Sequence, residues 1–166
     1  MAGFCTKTFL KFDDYMSPKY VWEDIKQYIP VGKTIWEPFY GDGKSGVYLS
    51  ELGFKVIHND NDFFENDEGD IVVSNPPFSE YKRILQRLIN LDKPFILILP
   101  SSKINTQTLR KLFWNDKRLQ LIIPRKRIQF KKLDKNGKLE NTNKCNFDCF
   151  YYCWKMNLER DITWLL

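Results

Sequence analysis

Six consecutive residues, Pro94-Phe95-Ile96-Leu97-Ile98-Leu99, carry no polar side chain. A membrane span needs roughly 18 apolar residues, and no run in the chain approaches that. The run is the pattern of a strand buried on both faces, as in a parallel sheet with helices on either side. Further short apolar runs fit the same sheet: Lys33-Thr34-Ile35-Trp36, Lys55-Val56-Ile57-His58, Asp70-Ile71-Val72-Val73-Ser74 and residues 119–123. Between them lie stretches with helical spacing, clearest at Ile84, Leu85, Leu88 and Ile89, with others expected near 19–29, 45–52 and 103–114. Two closing strands, 127–130 and 147–154, flank a polar segment, 131–146, whose Asn136-Gly137 suits a hairpin turn. Alternating strands and helices predict a doubly wound α/β sheet, mostly parallel, with an antiparallel hairpin ending.

Composition fits one folded domain over residues 1–166. Hydrophobic residues make up 43% and aromatics 16%, which excludes a disordered chain. The first 14 residues lack a signal-peptide pattern, because Lys7, Lys11, Asp13 and Asp14 interrupt the apolar positions. An intracellular, reducing setting (cytoplasm or nucleus) is therefore expected, and Cys5, Cys145, Cys149 and Cys153 read as free thiols. The last three are spaced by four, which puts them on one face of a strand, and His58 is the only histidine. No metal site is expected from that set.

Charge divides the chain. Residues 1–80 hold 7 Lys/Arg and 14 Asp/Glu, a net of −7, whereas residues 81–166 hold 19 and 7, a net of +12. The basic half suits a polyanion, with Lys103, Arg125, Lys126, Arg127, Lys131 and Lys132 as candidate phosphate contacts. A solvated lysine-rich surface is the alternative reading.

In doubly wound sheets ligands sit beyond the carboxyl ends of the strands. The first strand ends in Glu37-Pro38-Phe39-Tyr40-Gly41-Asp42-Gly43, a carboxylate followed by a turn whose Gly41 and Gly43 let the backbone approach a ligand. No Walker glycine-lysine spacing is present, so a phosphate loop is excluded. The second strand ends near Asp60 and Asp62, where a carboxylate could accept from ribose hydroxyls, with Phe63 or Phe64 beside it; a solvated acidic turn with Phe63 and Phe64 in the core is the alternative reading. The third delivers Ser74-Asn75-Pro76-Pro77-Phe78. Two prolines fix the backbone and remove two N–H donors, leaving carbonyl acceptors. With the Asn75 side-chain oxygen they can hold both protons of an aromatic amine, and Phe78 offers a face on which its base can stack.

Asn75-Pro76-Pro77-Phe78 resembles the catalytic motif of S-adenosyl-L-methionine-dependent amino-group methyltransferases, above all the N6-adenine enzymes of DNA and RNA, including small phage and viral forms. The 37–43 segment resembles their cofactor motif, Asp60 the acidic residue that holds the cofactor ribose, and Asp62-Phe63 the motif that contacts its adenine. Tyr15, Ser17 and Pro18 resemble the motif packed near the methionine end. The resemblance implies a Rossmann-like seven-stranded sheet and methyl transfer to adenine N6 in a flipped or unpaired nucleotide. A separate target-recognition region has no room here; the polar segment 131–146 is the one candidate within the chain, and a partner subunit is the other source of recognition. Two alternatives remain: a methyltransferase acting on protein glutamine, and a catalytically silent nucleic-acid-binding or partner-binding module of the same fold.

Overall fold

Fourteen regular elements follow in chain order in the computed structural model, which describes residues 15–133, 136, 138–140 and 145–166. They are β1 (Tyr15–Met16), α1 (Lys19–Glu23), β2 (Thr34–Trp36), α2 (Lys44–Glu51), β3 (Lys55–Ile57), β4 (Ile71–Ser74), α3 (Tyr81–Asn90), β5 (Phe95–Pro100), α4 (Gln107–Phe113), β6 (Leu119–Ile123), β7 (Lys131–Leu133), β8 (Leu139–Glu140), β9 (Cys149–Trp154) and β10 (Ile162–Trp164). Cys5 and Gly137, and the whole of 1–14, lie outside the described residues.

Seven strands form the main sheet in the order β10-β6-β9-β5-β4-β2-β3. Only β9 runs against its neighbours, β5 and β6; every other pairing is parallel. The Rossmann-like, mostly parallel sheet expected from the sequence is therefore the fold. The apolar run behaves as its composition requires. Phe95, Leu97 and Leu99 pack with Ile84, Leu85 and Leu88 of α3 on one face. Ile96 and Ile98 pack on the other, with Val21 and Trp22 of α1 and Leu49 of α2. The period-2 alternation of a strand thus feeds two separate cores.

β9 divides in the same way. Cys149, Tyr151 and Cys153 join one core while Tyr152 and Trp154 join the other. Cys145, Cys149 and Cys153 are buried free thiols, as their spacing predicted, and burial pushes the Cys149 and Cys153 thiols up. Tyr151 donates its hydroxyl to the Val21 carbonyl at 2.8 Å, tying α1 to the centre of the sheet.

The ending departs from the expectation. Residues 127–130 form no strand, because both edges of β9 are already taken by β5 and β6. Ile128 and Phe130 are buried all the same. The hairpin lies further on, between β7 and β8, and it belongs to a second sheet of order β1-β7-β8. Tyr15 lies opposite Lys132 and Met16 opposite Lys131. A final strand, β10, continues the main sheet beside β6, where no strand was expected. The first helix is also shorter than 19–29, giving way to a tight helical turn at Lys26–Tyr28.

β2 leads outward to β3, and β4 returns on the other side of β2. This reversal opens a crevice at the carboxyl ends of β2 and β4, the position where such sheets take their ligands.

Candidate active site

At the end of β2, Glu37 is 1% exposed. Its Oε1 accepts from the Phe39 N–H at 3.0 Å and from the hydroxyl of Ser74 at the end of β4. Burial pushes the Glu37 carboxyl up to about 8, so it is largely a neutral acid at pH 7. The next residues turn sharply. Gly41 and Gly43 have φ of +58° and +78°, values that a side chain rarely adopts. A Cβ on Gly43 would stand 3.1 Å from the Tyr40 hydroxyl, and one on Gly41 would stand 3.3 Å from the Met16 sulfur of β1. Pro38 and Phe39 are buried beneath the turn.

At the end of β3, His58 stacks on Tyr40 with ring centroids 4.9 Å apart. Burial lowers its basicity, so it serves as a neutral strand-end ring. The loop onward to β4 is held from outside. Glu68 accepts from Asn59 and Asn61 at 3.1 and 3.0 Å. Arg87 of α3 donates to the carbonyls of Phe63 and Asn66, and Lys93 donates to that of Gly69. Asp62 accepts the Phe64 N–H at 2.8 Å, and Asp60, three residues beyond β3, is exposed. Phe63 departs from the role that the resemblance implies and follows the alternative reading, a core residue. At 1% exposure its ring packs among Trp36, Phe39 and Phe64, which makes it a core ring with no free face. Its side chain is apolar and the neighbouring strand offers an aromatic bed, so burial wins. Phe64 is half-buried beneath the Arg83 guanidinium, 4.2 Å from its ring centroid.

At the end of β4, Asn75 donates its side-chain Nδ2 to the Tyr15 carbonyl at 2.8 Å. Its Oδ1 is buried and has no hydrogen-bond partner among the described residues. Pro76 is buried, Pro77 half-buried, and Phe78 begins a helical turn. The Phe78 ring stacks against Tyr15 at 5.8 Å and meets Phe130 and Phe147 edge-on at 6.1 and 5.8 Å. Ser17, buried beside β1, likewise has a hydroxyl with no partner among the described residues. Pro18 opens α1, its carbonyl accepting from Val21 at 3.2 Å.

The structure thus brings together Tyr15, Ser17, Glu37, Gly41, Gly43 and Asn75 to Phe78. Ser74, Phe130, Phe147, Arg87 and Lys93 were not among the site residues expected from the sequence. Only Ser74, the neighbour of the proline motif, carried a local signal. The basic candidates scatter more widely. Arg127 forms a bidentate pair with Asp148 at 2.9 and 3.0 Å, and Arg125 approaches Asp24 at 3.7 Å. Lys103 lies over the Tyr81 ring and Lys132 over Tyr15, while Lys126 and Lys131 are exposed.

The doubly wound sheet has a glycine turn at its switch point and a proline-framed acceptor on the adjoining strand, and the family that the chain matches makes this Rossmann-like fold that of a methyltransferase. The chain belongs to the EcoRI adenine-specific methyltransferase family, which it matches over residues 41–164. It is 32% identical over 78 residues to the type II methyltransferase M.EcoRI of Escherichia coli, a stretch covering 43% of this chain and 23% of that protein. Among solved structures it is similar to a Pyrococcus horikoshii protein assigned as an RNA methyltransferase, with a TM-score of 0.47, 18% identity and 93% of each chain covered.

Proposed function

We propose that this methyltransferase uses S-adenosyl-L-methionine to methylate the N6 amino group of adenine in a nucleic acid. The observation that carries the reading is Asn75 Oδ1, a buried acceptor without a partner beside a proline carbonyl and an aromatic ring. A buried acceptor left unpaired costs about 1–3 kcal/mol, which a ligand bearing an N–H donor would relieve.

The residues suit the cofactor. Ser17 offers a second buried group, a hydroxyl without a partner among the described residues. Gly41 and Gly43 keep the turn free of side chains where the backbone must come close. Asp60 stands at the end of β3, where a carboxylate can accept from ribose hydroxyls. The adenine contact is assigned to Asp62 and the loop backbone, since the Phe63 ring is enclosed. When bound, the cofactor supplies an electrophilic methyl group on a sulfonium.

Asn75 Oδ1 and the Pro76 carbonyl accept the two protons of the target amine. This enriches the nitrogen in electron density and aims its lone pair at the methyl carbon. Pro77 keeps the turn rigid, and Phe78 replaces part of the stacking that the base loses on leaving its strand. Positioning supplies most of the acceleration. The methylated ammonium is acidic and gives its proton to solvent. Lys103, Lys126, Lys131 and Lys132 supply phosphate contacts, with Arg125 and Arg127 contributing where they leave their carboxylate partners. Residues 1–166 act as one domain, in which 131–146 is the candidate segment for target recognition.

The test offers labelled S-adenosylmethionine to RNA, DNA and protein pools and identifies the methylated product by mass spectrometry. N6-methyladenosine or its deoxy form is expected. Label on glutamine, on a ring carbon or on nothing defeats the reading.

A further inference from the structure

The Asn75 amide has two chemically different ends, and only one of them is engaged. Nδ2 donates to the Tyr15 carbonyl at 2.8 Å, while Oδ1 is buried and unpartnered. The last torsion of an asparagine is broad and roughly two-fold, so the side chain itself does little to choose between the two orientations. The choice matters, because an NH2 group presented to a substrate amine would set donor against donor. A carbonyl can only accept. Whichever end faces Tyr15 must therefore be the donor, and the oxygen is left for the ligand.

The Tyr15 carbonyl is itself fixed. Tyr15 lies in β1, opposite Lys132 of β7, and its ring is packed by Phe78, Phe130 and Phe147 at 5.8, 5.8 and 5.3 Å. Asn75 and Tyr15 are 60 residues apart, so the contact exists only because the small second sheet lies against the end of β4.

We propose that the Tyr15 backbone carbonyl is a positioning group that locks the Asn75 amide with its oxygen toward the target amine. Resting on the adenine-amine reading above, this makes the β1–β7 pairing part of the apparatus of substrate recognition. It also separates asparagine from aspartate at position 75. An ionised carboxylate has no proton for the Tyr15 carbonyl and would set oxygen against oxygen. A protonated carboxyl can donate to Tyr15 and present its other oxygen to the amine. Burial and the facing carbonyl both raise the pKa of such a carboxyl.

The experiment measures kcat for Asn75→Asp as a ratio to the unaltered enzyme, from about pH 5.5 to about pH 9, with cofactor affinity followed in parallel. The ratio should fall about tenfold per pH unit above the carboxyl pKa and recover below it, with cofactor affinity unchanged. A flat ratio, whether near one or uniformly low, overturns the proposal. A second measurement needs no turnover: NMR of the Asn75 side-chain amide in the protein without nucleic acid. One of its two amide protons should exchange slowly with solvent, held by Tyr15, and equally fast exchange of both overturns the proposal. Failure of the adenine reading would appear instead as label on another group, with the amide pattern intact.

Discussion

The carboxyl ends of β2 and β4 adjoin in the sheet, and they treat their polar atoms in opposite ways. Glu37, at the end of β2, satisfies its Oε1 internally through Ser74 and the Phe39 N–H. Asn75, at the end of β4, spends its donor on Tyr15 and leaves its acceptor unpaired. The first end ties two strands together through Glu37 Oε1, and the second leaves an acceptor unpaired among the described residues. A buried carboxyl that meets its needs within the protein acts as a brace between strands. A buried amide oxygen that does not is destabilising until a ligand arrives, and a fold tolerates that cost where it serves a function.

The sharpest way to break this contrast is Asn75→Ala. If the spare acceptor acts on the target amine, turnover should fall ~100-fold or more while cofactor affinity stays nearly unchanged, by analogy with losing one oxyanion donor. Single-turnover rates and calorimetry on the same variant separate the two quantities. Turnover that survives the substitution removes Asn75 from the chemistry. Phe78→Ala should act next most strongly, weakening capture of the base by about 1–3 kcal/mol, the usual worth of a base–aromatic stack. The loss should appear in nucleic-acid affinity, and a variant with unaltered affinity would confine Phe78 to the cluster it forms with Tyr15, Phe130 and Phe147.

Glu37→Gln tests the brace. Its carboxyl titrates near 4.5 when unfolded and is raised to about 8 by burial in the folded chain. Between those values the folded state holds a proton that the unfolded state has lost. Stability should therefore decline as pH rises through that window, with a slope of at most about 1.4 kcal/mol per pH unit. Glutamine cannot ionise and can still accept from Ser74 and Phe39, so the decline should flatten. Denaturant unfolding across the window reads this directly, and parallel pH profiles for the two proteins would show that Glu37 is not the buried acid proposed.

Much of this contrast could be read in the sequence, for local reasons. The glycine turn and the proline motif are contiguous, and β5 announced itself by an uninterrupted apolar run. What could not be read depends on residues far apart in the chain. Nothing near Tyr15 reveals that it will lie opposite Lys132 or receive the Asn75 amide. The apolar residues at 128 and 130 suggested a strand because burial was legible, whereas the prior occupation of both β9 edges was not. Phe63 and Phe64 are adjacent and identical, and only the aromatic bed of Trp36 and Phe39 decides which is enclosed.

The contrast between satisfied and unsatisfied groups extends to the basic half, where it predicts a smaller effect. Arg125 and Arg127 face Asp24 and Asp148, whereas Lys131 and Lys132 make no ion pair among the described residues. A cation already opposite a carboxylate must give that partner up before it neutralises a phosphate, and the exchange releases less counterion than a fresh contact. Each new phosphate contact steepens the dependence of log K on log salt by about 0.9 for duplex DNA and about 0.7 for single strands. Lys131→Ala with Lys132→Ala should therefore flatten the slope by about 1.4–1.8 if both lysines touch phosphate. Arg125→Ala with Arg127→Ala should flatten it by less. Titrations at several salt concentrations on one oligonucleotide compare the two pairs directly. If the arginine pair changes the slope more than the lysine pair, the polyanion runs past the surface beside Asp24 and Asp148, and the small β1-β7-β8 sheet is not where it is gripped.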